Sequence, residues 1–232
     1  MRILALDTAT ENCSAALLIE GRLTMREQLA GRGHGGAILA MIDAVLAEAG
    51  MSLGAVDAIA FGRGPGSFTG VRLAASVTQG LAYGAGLAVV PVSDLRAVAC
   101  RALATQAGAQ RVLVCNDARM REVYWACFRR FADDPAAPVG SERVSDPGQV
   151  GLPAGWEGDA QLLGAGTGFA ACPQLTGLIP GGPAAIEVLY PRAAEIALLA
   201  VHEVAAGRIF DPEMALPVYL RDQVVQAPAA GH

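Results

Sequence analysis

The sequence predicts an α/β fold divided into two lobes. Short apolar runs typical of buried strands alternate with stretches of helical periodicity. This pattern stops at a polar, small-residue stretch over 105–110 and then restarts at Arg111. We therefore expect an N-terminal lobe over residues 1–105 and a smaller C-terminal lobe over 106–232.

The chain begins with two apolar runs, over residues 3–6 and 14–19. The second leads through Glu20-Gly21-Arg22 into residues 23–29, and together these segments predict two linked β-hairpins. A helical period then starts at Ala37. Its apolar positions follow the spacing of one helix face: Ile38, Met41, Ile42, Val45, Leu46 and Ala49. Gly50 is predicted to end this helix in the left-handed conformation.

A second strand–helix pair follows. Residues 58–61 predict a strand, 62–70 a glycine-rich loop, and 71–83 a helix that Thr69 or Gly70 opens. Residues 88–92 predict another buried strand. Ser93 is then placed to cap a helix over 93–104.

The second lobe starts with a run that is similar to the first one. Arg-Val-Leu-Val-Cys-Asn at 111–116 is similar to Arg-Ile-Leu-Ala-Leu-Asp at 2–7, and each is followed by a turn and another apolar strand, here 122–128. A duplication explains this similarity, and so does the chance likeness of two apolar strands opened by arginine.

The remainder of the chain is harder to interpret. Residues 133–156 lack a sustained period and predict a loop with at most one strand. A last helix is expected over about 191–206, with Pro191 as its first residue and Gly207 after its end. The tail from Gln226 is expected to fray.

Composition excludes several functions. The net charge is −5, which argues against a chain that holds nucleic acid unaided. All 17 basic residues are arginine. A chain without lysine has no Walker phosphate lysine, no Schiff base and no lysine general base.

The cysteines and the apolar stretches bear on location. The chain contains five scattered cysteines with no C-x-x-C pair, which favours reduced thiols. Asp7 interrupts the first apolar run too early for a signal peptide. The most apolar later stretch, 80–92, is too short to cross a bilayer. We expect a cytoplasmic protein without membrane association.

The loop Gly-Arg-Gly-Pro-Gly-Ser-Phe-Thr-Gly over 62–70 has two interpretations. Its glycines permit positive φ and close backbone approach, so it could cradle a phosphate at the start of a helix. It could equally be a tight turn that lets the helix pack on the sheet. We predict the second role for Gly62, Gly64, Gly66 and Gly70, because Ser67 and Phe68 stand where a Walker motif needs Gly-Lys.

The stretch Asp7-Thr8-Ala9-Thr10 ends the first strand, where sugar-kinase-like and actin-like folds place groups near metal-bound phosphate. Hairpin side chains that bond nearby backbone would look the same. The chain's histidines, His34, His202 and His232, are far apart in sequence and predict no metal site.

Two further motifs are incomplete. Ser67 is not in the G-x-S-x-G elbow of a hydrolase, although His34 could approach it. The run Gly-Ala-Gly-Thr-Gly at 164–168 matches half of a dinucleotide fingerprint. We predict no catalytic residue, no cofactor and no metal.

The first two long helices are apolar on more than one side. Only Asp43 and Glu48 supply charge between 37 and 49, and the second helix has one narrow polar stripe, formed by Arg72, Ser76, Gln79 and Tyr83. Helices of this kind are usually sandwiched, either inside a larger core or against a partner. We predict a partner surface in a four-helix bundle, formed by Ala37, Ala40, Met41, Ala44, Ala47, Leu73, Val77 and Leu81.

Four blocks in order closely resemble the TsaB (YeaZ) family: residues 3–14, 59–72, 117–125 and 217–221, with Gly62 to Arg72 the most specific signature. The resemblance spans the chain. It implies an actin-like ATPase (RNase H-like) fold, with two related lobes that each contain a mixed sheet.

The resemblance also implies a function. Members of this family pair with TsaD, the metal-dependent threonylcarbamoyl transferase, in forming N6-threonylcarbamoyladenosine beside the anticodon of tRNAs that read ANN codons. In TsaD, histidines early in the chain help hold the metal, and His34 has no companion at helical spacing. The expected role is therefore a non-catalytic subunit.

The expected partners are TsaD in a heterodimer, TsaE through that complex, and tRNA only within it, with a homodimer when the chain is alone. The alternative is a self-sufficient actin-fold ATPase or small-molecule kinase, which would hydrolyse ATP without a partner.

Overall fold

A computed structural model describes residues 1–29 and 34–221. Its first sheet has the order β3-β2-β1-β4-β5. The strands are β1 (Arg2–Asp7), β2 (Asn12–Ile19), β3 (Arg22–Leu29), β4 (Ala58–Gly62) and β5 (Ala88–Val92). The first three are antiparallel hairpins, as predicted, whereas β4 and β5 continue from β1 in parallel.

The second sheet has the order β10-β9-β6-β7-β8. Its strands are β6 (Arg111–Asp117), β7 (Val123–Arg129), β8 (Ala137–Ser145), β9 (Leu162–Ala165) and β10 (Ile186–Glu187). Strand β8 is the one strand expected within the poorly patterned stretch 133–156. Strand β6 pairs antiparallel with β7 and parallel with β9.

The two sheets repeat one design. Strands β1 and β6 are central in their sheets. On one side of each, two strands follow with antiparallel pairing, and on the other side two strands follow with parallel pairing. The similarity between 2–7 and 111–116 therefore marks equivalent strands. The prediction of two related lobes, each with a mixed sheet, is confirmed.

Five α-helices lie against these sheets in the described residues: α1 (His34–Glu48), α2 (Phe68–Ala85), α3 (Asp94–Thr105), α4 (Gly168–Ala171) and α5 (Ala193–Ala205). Helices α1 and α2 cover one face of the first sheet, where Leu4, Leu6 and Phe61 form a common core with them. Short 3₁₀ turns occupy Leu53–Ala55, Pro147–Gln149, Pro173–Leu178, Gly182–Ala185 and Pro212–Met214.

The central core lies between the two sheets. Helix α5 follows the second sheet in the chain but packs on β1, β2, β4 and β5 of the first one. Helix α3 precedes the second sheet and packs on β6, β7 and β9. The two helices also contact each other, so one continuous core, which includes Ile3, Leu95, Phe128 and Ile196, joins the lobes.

Several helix ends match the prediction. Gly50 has φ 63° after α1, and the Ser93 hydroxyl accepts a hydrogen bond from the Arg96 amide at the start of α3. Other ends differ. Helix α1 already begins at His34, three residues before Ala37, and α3 extends to Thr105.

Two predicted helix starts are wrong. Helix α2 begins at Phe68, because the Ser67 side chain caps it by accepting from the amide of Gly70. Helix α5 begins at Ala193, after Arg192 in extended conformation, so Pro191 lies outside the helix. The predicted frayed tail from Gln226 lies outside the described residues.

Within the described parts of the chain, every helix is too short or too polar to span a bilayer.

Candidate functional site

The glycine loop joins β4 to α2, and its glycines face other atoms at close range. A Cβ on Gly66 would lie 2.5 Å from the carbonyl oxygen of Ala9, and one on Gly70 would lie 2.1 Å from that of Thr8. A Cβ on Gly62 would lie 2.4 Å from a carboxyl oxygen of Asp94. The loop therefore contacts the end of β1 directly, backbone against backbone.

Positive φ plays a smaller part than the sequence suggested. Among the four glycines only Gly64 has a left-handed backbone, with φ 101°. At Gly62, Gly66 and Gly70, glycine is required because neighbouring atoms leave no room for a Cβ. Gly64 meets both, since a Cβ there would lie 2.9 Å from the carbonyl oxygen of Val218.

The polar groups after β1 are bonded within the protein. The Asp7 carboxylate accepts from the amide of Ala9 at 2.8 Å, and the Thr8 hydroxyl donates to the carbonyl of Gly70 at 2.7 Å. Both side chains are fully buried. This is the hairpin chemistry that competed with the phosphate-site interpretation of Asp7-Thr8-Ala9-Thr10.

Sequence reasoning missed the partner of Asp7. Asp94, the first residue of α3, is also fully buried and accepts a hydrogen bond from the amide of Gly64 at 2.5 Å. Burial raises the pKa of Asp7 to about 6. Burial, together with the charge of Asp7, raises the pKa of Asp94 well above its usual value. Two buried carboxyl groups so close together favour a single shared proton over two charges.

A cleft of about 1160 Å³ opens above this loop, between the two lobes. Residues 9–11, 65–70 and the start of α1 form one wall, and 116–120 with 167–171 form the other. The segment 218–221 lines it as well. Neither Asp7 nor Asp94 is among its lining residues.

The residues considered for hydrolysis and metal binding have other roles. Ser67 and His34 both line the cleft, but the Ser67 hydroxyl is the N-cap of α2. No group of three or more His, Cys, Asp or Glu side chains in residues 1–29 and 34–221 is arranged to hold a metal.

The Gly164–Gly168 run is a tight packing turn. Gly166 has φ 103°, and a Cβ there would lie 2.4 Å from the carbonyl oxygen of Cys115. Gly168 opens α4, which has only four residues. The run overlaps the end of β9 and opens a helix of four residues, which is too short for the strand–helix unit of a dinucleotide site.

The outer surface of α1 and α2 is apolar and carries small residues. On α1, Ala40 and Ala47 are exposed, while Ala37, Met41 and Ala44 are half-buried. On α2, Leu73, Val77 and Leu81 are half-buried. The opposite side of α1 packs on the core of the first sheet and buries four residues: Ile38, Ile42, Val45 and Leu46.

The same surface includes residues outside the predicted partner set. Leu39 is 47% exposed and Tyr83 is 74% exposed. Ser76, Gly80 and Gly84 follow one another at intervals of four along the exposed side of α2. Tyr83 belongs to the predicted polar stripe of the second helix. The four-residue spacing of Ser76, Gly80 and Gly84 is the sequence signal that could have identified the exposed side of α2 as a packing surface.

Two mixed sheets of equivalent strand order, with helices outside and between them, define an actin-like, RNase H-like α/β protein. Residues 27–171 match the family model described as TsaD: tRNA N6-adenosine threonylcarbamoyltransferase.

The comparisons with single proteins extend over nearly the whole chain. The tRNA threonylcarbamoyladenosine biosynthesis protein TsaB of Escherichia coli K12 is 42% identical, with 97% of this chain and 96% of the relative covered. Its namesake from Haemophilus influenzae is 40% identical, with 97% and 95% covered. The solved structure of YeaZ from Pseudomonas aeruginosa has a TM-score of 0.85 at 44% identity, with 94% and 99% covered. The chain belongs to the TsaB (YeaZ) family.

Proposed function

We propose that this chain is a non-catalytic subunit that binds and supports a TsaD-type transferase, with TsaE, in forming N6-threonylcarbamoyladenosine in tRNA. Membership of the TsaB family supports the place in this modification. The separate roles of the two proteins are our inference. In this proposal the chain supplies no catalytic residue, and tRNA is bound only by the assembled complex.

One observation carries the proposal, namely the apolar outer surface of α1 and α2. Helices of a monomer normally turn charged residues to water. Here the exposed side chains of α1 include Leu39, Ala40 and Ala47, and those of α2 include Tyr83 beside glycines. Small residues permit close helix approach, and large apolar residues beside them supply buried area. Two helices of a partner would complete a four-helix bundle.

The polar groups of the first lobe support a role without nucleotide chemistry. Asp7 accepts from the amide of Ala9, Thr8 donates to the carbonyl of Gly70, and Ser67 caps α2. These are the groups that would have to meet a phosphate or its metal. In this arrangement the glycine loop is a packing element, the role predicted for Gly62, Gly64, Gly66 and Gly70.

Reconstitution tests this proposal. Purified chain alone is expected neither to hydrolyse ATP nor to modify tRNA. It is expected to become necessary when TsaD, TsaE, threonylcarbamoyl-adenylate and tRNA are supplied together. ATP turnover by the isolated chain, or full modification without it, would contradict the proposal and favour the self-sufficient ATPase or kinase.

The isolated chain offers a second test. A homodimer formed through the α1–α2 surface would dissociate when TsaD is added, because both partners use one surface. Sedimentation of the chain with and without TsaD measures this exchange. A homodimer that persists in the TsaD complex would place the two contacts on different surfaces.

A further inference from the structure

The cleft between the lobes is continuous with the α1–α2 surface. Gly35 of α1 and Leu73 of α2 line the cleft wall, and a Cβ on Gly35 would lie 4.0 Å from the Leu73 side chain. The proposed partner surface and the cleft therefore share Leu73.

The rim of this cleft exposes large apolar side chains. Phe68, Met120, Val188 and Tyr219 all line it and are all exposed. Exposed apolar residues gathered around one concavity mark a binding site more often than scattered ones do. The cleft volume, about 1160 Å³, is above the range of roughly 300–1,000 Å³ that is usual for small-molecule pockets.

The charges of the cleft do not favour an anionic occupant. Arg119 pairs with Asp117 at 2.8 Å and also with Glu11 of the other lobe. Arg221 pairs with Glu122 and donates to the carbonyl of Ala118 at 3.1 Å. A phosphate group would have to break these pairs before it could use either guanidinium.

Two cleft-lining residues carry a buried polar atom without a partner within the described residues, the ring Nδ1 of His34 and the side-chain nitrogen of Asn116. Asn116 is 4% exposed, and its side-chain nitrogen has no hydrogen-bond acceptor there. Its side-chain oxygen accepts from the amide of Thr167 at 3.4 Å, which leaves the NH₂ group as a donor. A peptide carbonyl is a matching acceptor.

We propose that the cleft binds an apolar, uncharged segment of the protein that docks on the α1–α2 surface, with a backbone carbonyl accepting from Asn116. This inference rests on the proposed function, because it extends the same partner contact. The segment inserts between the lobes, past the rim formed by Phe68, Met120, Val188 and Tyr219.

Ala170 allows a direct test, since it is exposed within the cleft and lies on α4, away from α1 and α2. The Ala170→Trp variant is expected to weaken TsaD binding at least tenfold. Ala104→Trp is the matched control, because Ala104 is exposed on α3 and does not line the cleft; its affinity is expected to equal that of the wild type. If Ala170→Trp fails to fold by circular dichroism, Met120→Asp at the exposed rim replaces it with the same expectation.

Crosslinking identifies the occupant. The five native cysteines are buried, so an Ala170→Cys variant can be labelled selectively with a benzophenone maleimide. Irradiation of the full complex is expected to attach the label to one continuous segment of TsaD. Attachment only to a second copy of this chain, to its own residues after Arg221, or to nothing would overturn the inference.

Two outcomes separate this inference from the proposed function. If a charge on the α1–α2 surface abolishes the complex while Ala170→Trp binds normally, the cleft inference fails and the proposed function stands. If neither change affects binding, both fail. A melting-temperature gain with ATP and magnesium that Ala170→Trp removes would show that the cleft takes a nucleotide, and would overturn the inference.

Discussion

Asp7 and Asp94 face the same glycine from two sides of the loop: a Cβ on Gly62 would lie 2.4 Å from an Asp94 carboxyl oxygen and 2.7 Å from one of Asp7, and both side chains are fully buried. Asp94 also accepts from the amide of Gly64. The pair thus connects the end of β1, the loop after β4 and the start of α3. Because two buried carboxylates repel each other, the arrangement requires a shared proton.

This pair predicts a pH dependence of stability. Both folded-state pKa values are raised, so the folded protein binds more protons than the unfolded chain above about pH 4, and the free energy of unfolding falls as pH rises through about 6 and beyond. Asp94→Asn should remove the penalty and raise the free energy of unfolding near neutral pH by about 1–3 kcal/mol. Urea unfolding of the wild type and of Asp94→Asn at pH 5 and pH 8 measures this difference in free energy.

The matched control for this prediction is Asp94→Ala. It removes the same charge but leaves the amide of Gly64 without its acceptor, and should therefore be less stable than Asp94→Asn at both pH values. Equal pH dependence in Asp94→Asn and wild type would show that the pair does not titrate as described.

Gly66→Val should destabilise the protein by about 3 kcal/mol or more, because its Cβ would lie 2.5 Å from the carbonyl oxygen of Ala9. ATP with magnesium should not restore the lost stability. Gly84→Val is the control, since a Cβ on Gly84 has no neighbour within 4 Å. Thermal unfolding compares the variants. A loss no larger for Gly66→Val than for the control would contradict the packing role of the loop.

Arg96 of α3 connects segments that are far apart in the chain. Its guanidinium donates to the carbonyl of Ala136 at 2.9 Å and pairs with Asp134 and with Glu203 of α5. Arg96→Ala should cost about 2–4 kcal/mol, because Glu203 remains buried with one fewer cation. Arg101→Ala on the same helix should cost less than 1 kcal/mol. Denaturant unfolding compares the free energies of unfolding of the two variants. Similar decreases in both would show that the Arg96 network does not stabilise the protein.

The Arg96 network has its own pH dependence. Burial disfavours the charge of Glu203, but hydrogen bonds from Arg208 and Arg96 outweigh it and hold its pKa below the usual value. Its stabilisation is therefore present above about pH 4.5 and is lost as the pH falls through the lower folded-state pKa. Arg96→Ala should weaken this acid-side loss.

All five cysteines should react as free thiols once the protein is unfolded. They are buried and unpaired in the structure, and burial raises the pKa of Cys13 to about 11 and of Cys100 and Cys127 to about 12. A thiol-specific reagent should therefore react slowly with native protein and count five thiols in guanidinium chloride. Fewer than five without prior reduction would reveal a disulfide.

Much of the fold could be predicted because its signals are local. Gly50 and Ser93 mark helix ends through their own backbone and side-chain chemistry, and buried strands such as β1 and β4 carry continuous apolar runs. The position of α5 could not be predicted in this way. It packs on the first sheet although it follows the second in the chain, and neither periodicity nor capping records which sheet a helix will cover.

In the candidate site too, local features could be predicted from the sequence and long-range contacts could not. The alanines of α1 predicted an apolar outer face, because one helix wheel contains that information. The Asp7–Asp94 pair was not predicted, since the two residues are 87 positions apart and each looks ordinary in its own segment. Leu39 was missed because exposure depends on where neighbouring elements end.

The central claim is that α1 and α2 form the partner surface. Ala40 and Ala47 are exposed, whereas Ala44 is half-buried, so charges at the first two positions test binding with little risk to the fold. The variant Ala40→Glu with Ala47→Arg should remain folded and lose at least 100-fold in affinity for TsaD, since an unpaired charge would be buried in the bundle.

The most direct measurement is the dissociation constant of the complex with purified TsaD, by calorimetry, for wild type, for Ala40→Glu with Ala47→Arg, and for the control Ala104→Glu on α3. We predict wild-type affinity for the control and no detectable binding for the double variant. Unchanged affinity in the folded double variant would contradict the account and place the partner surface elsewhere.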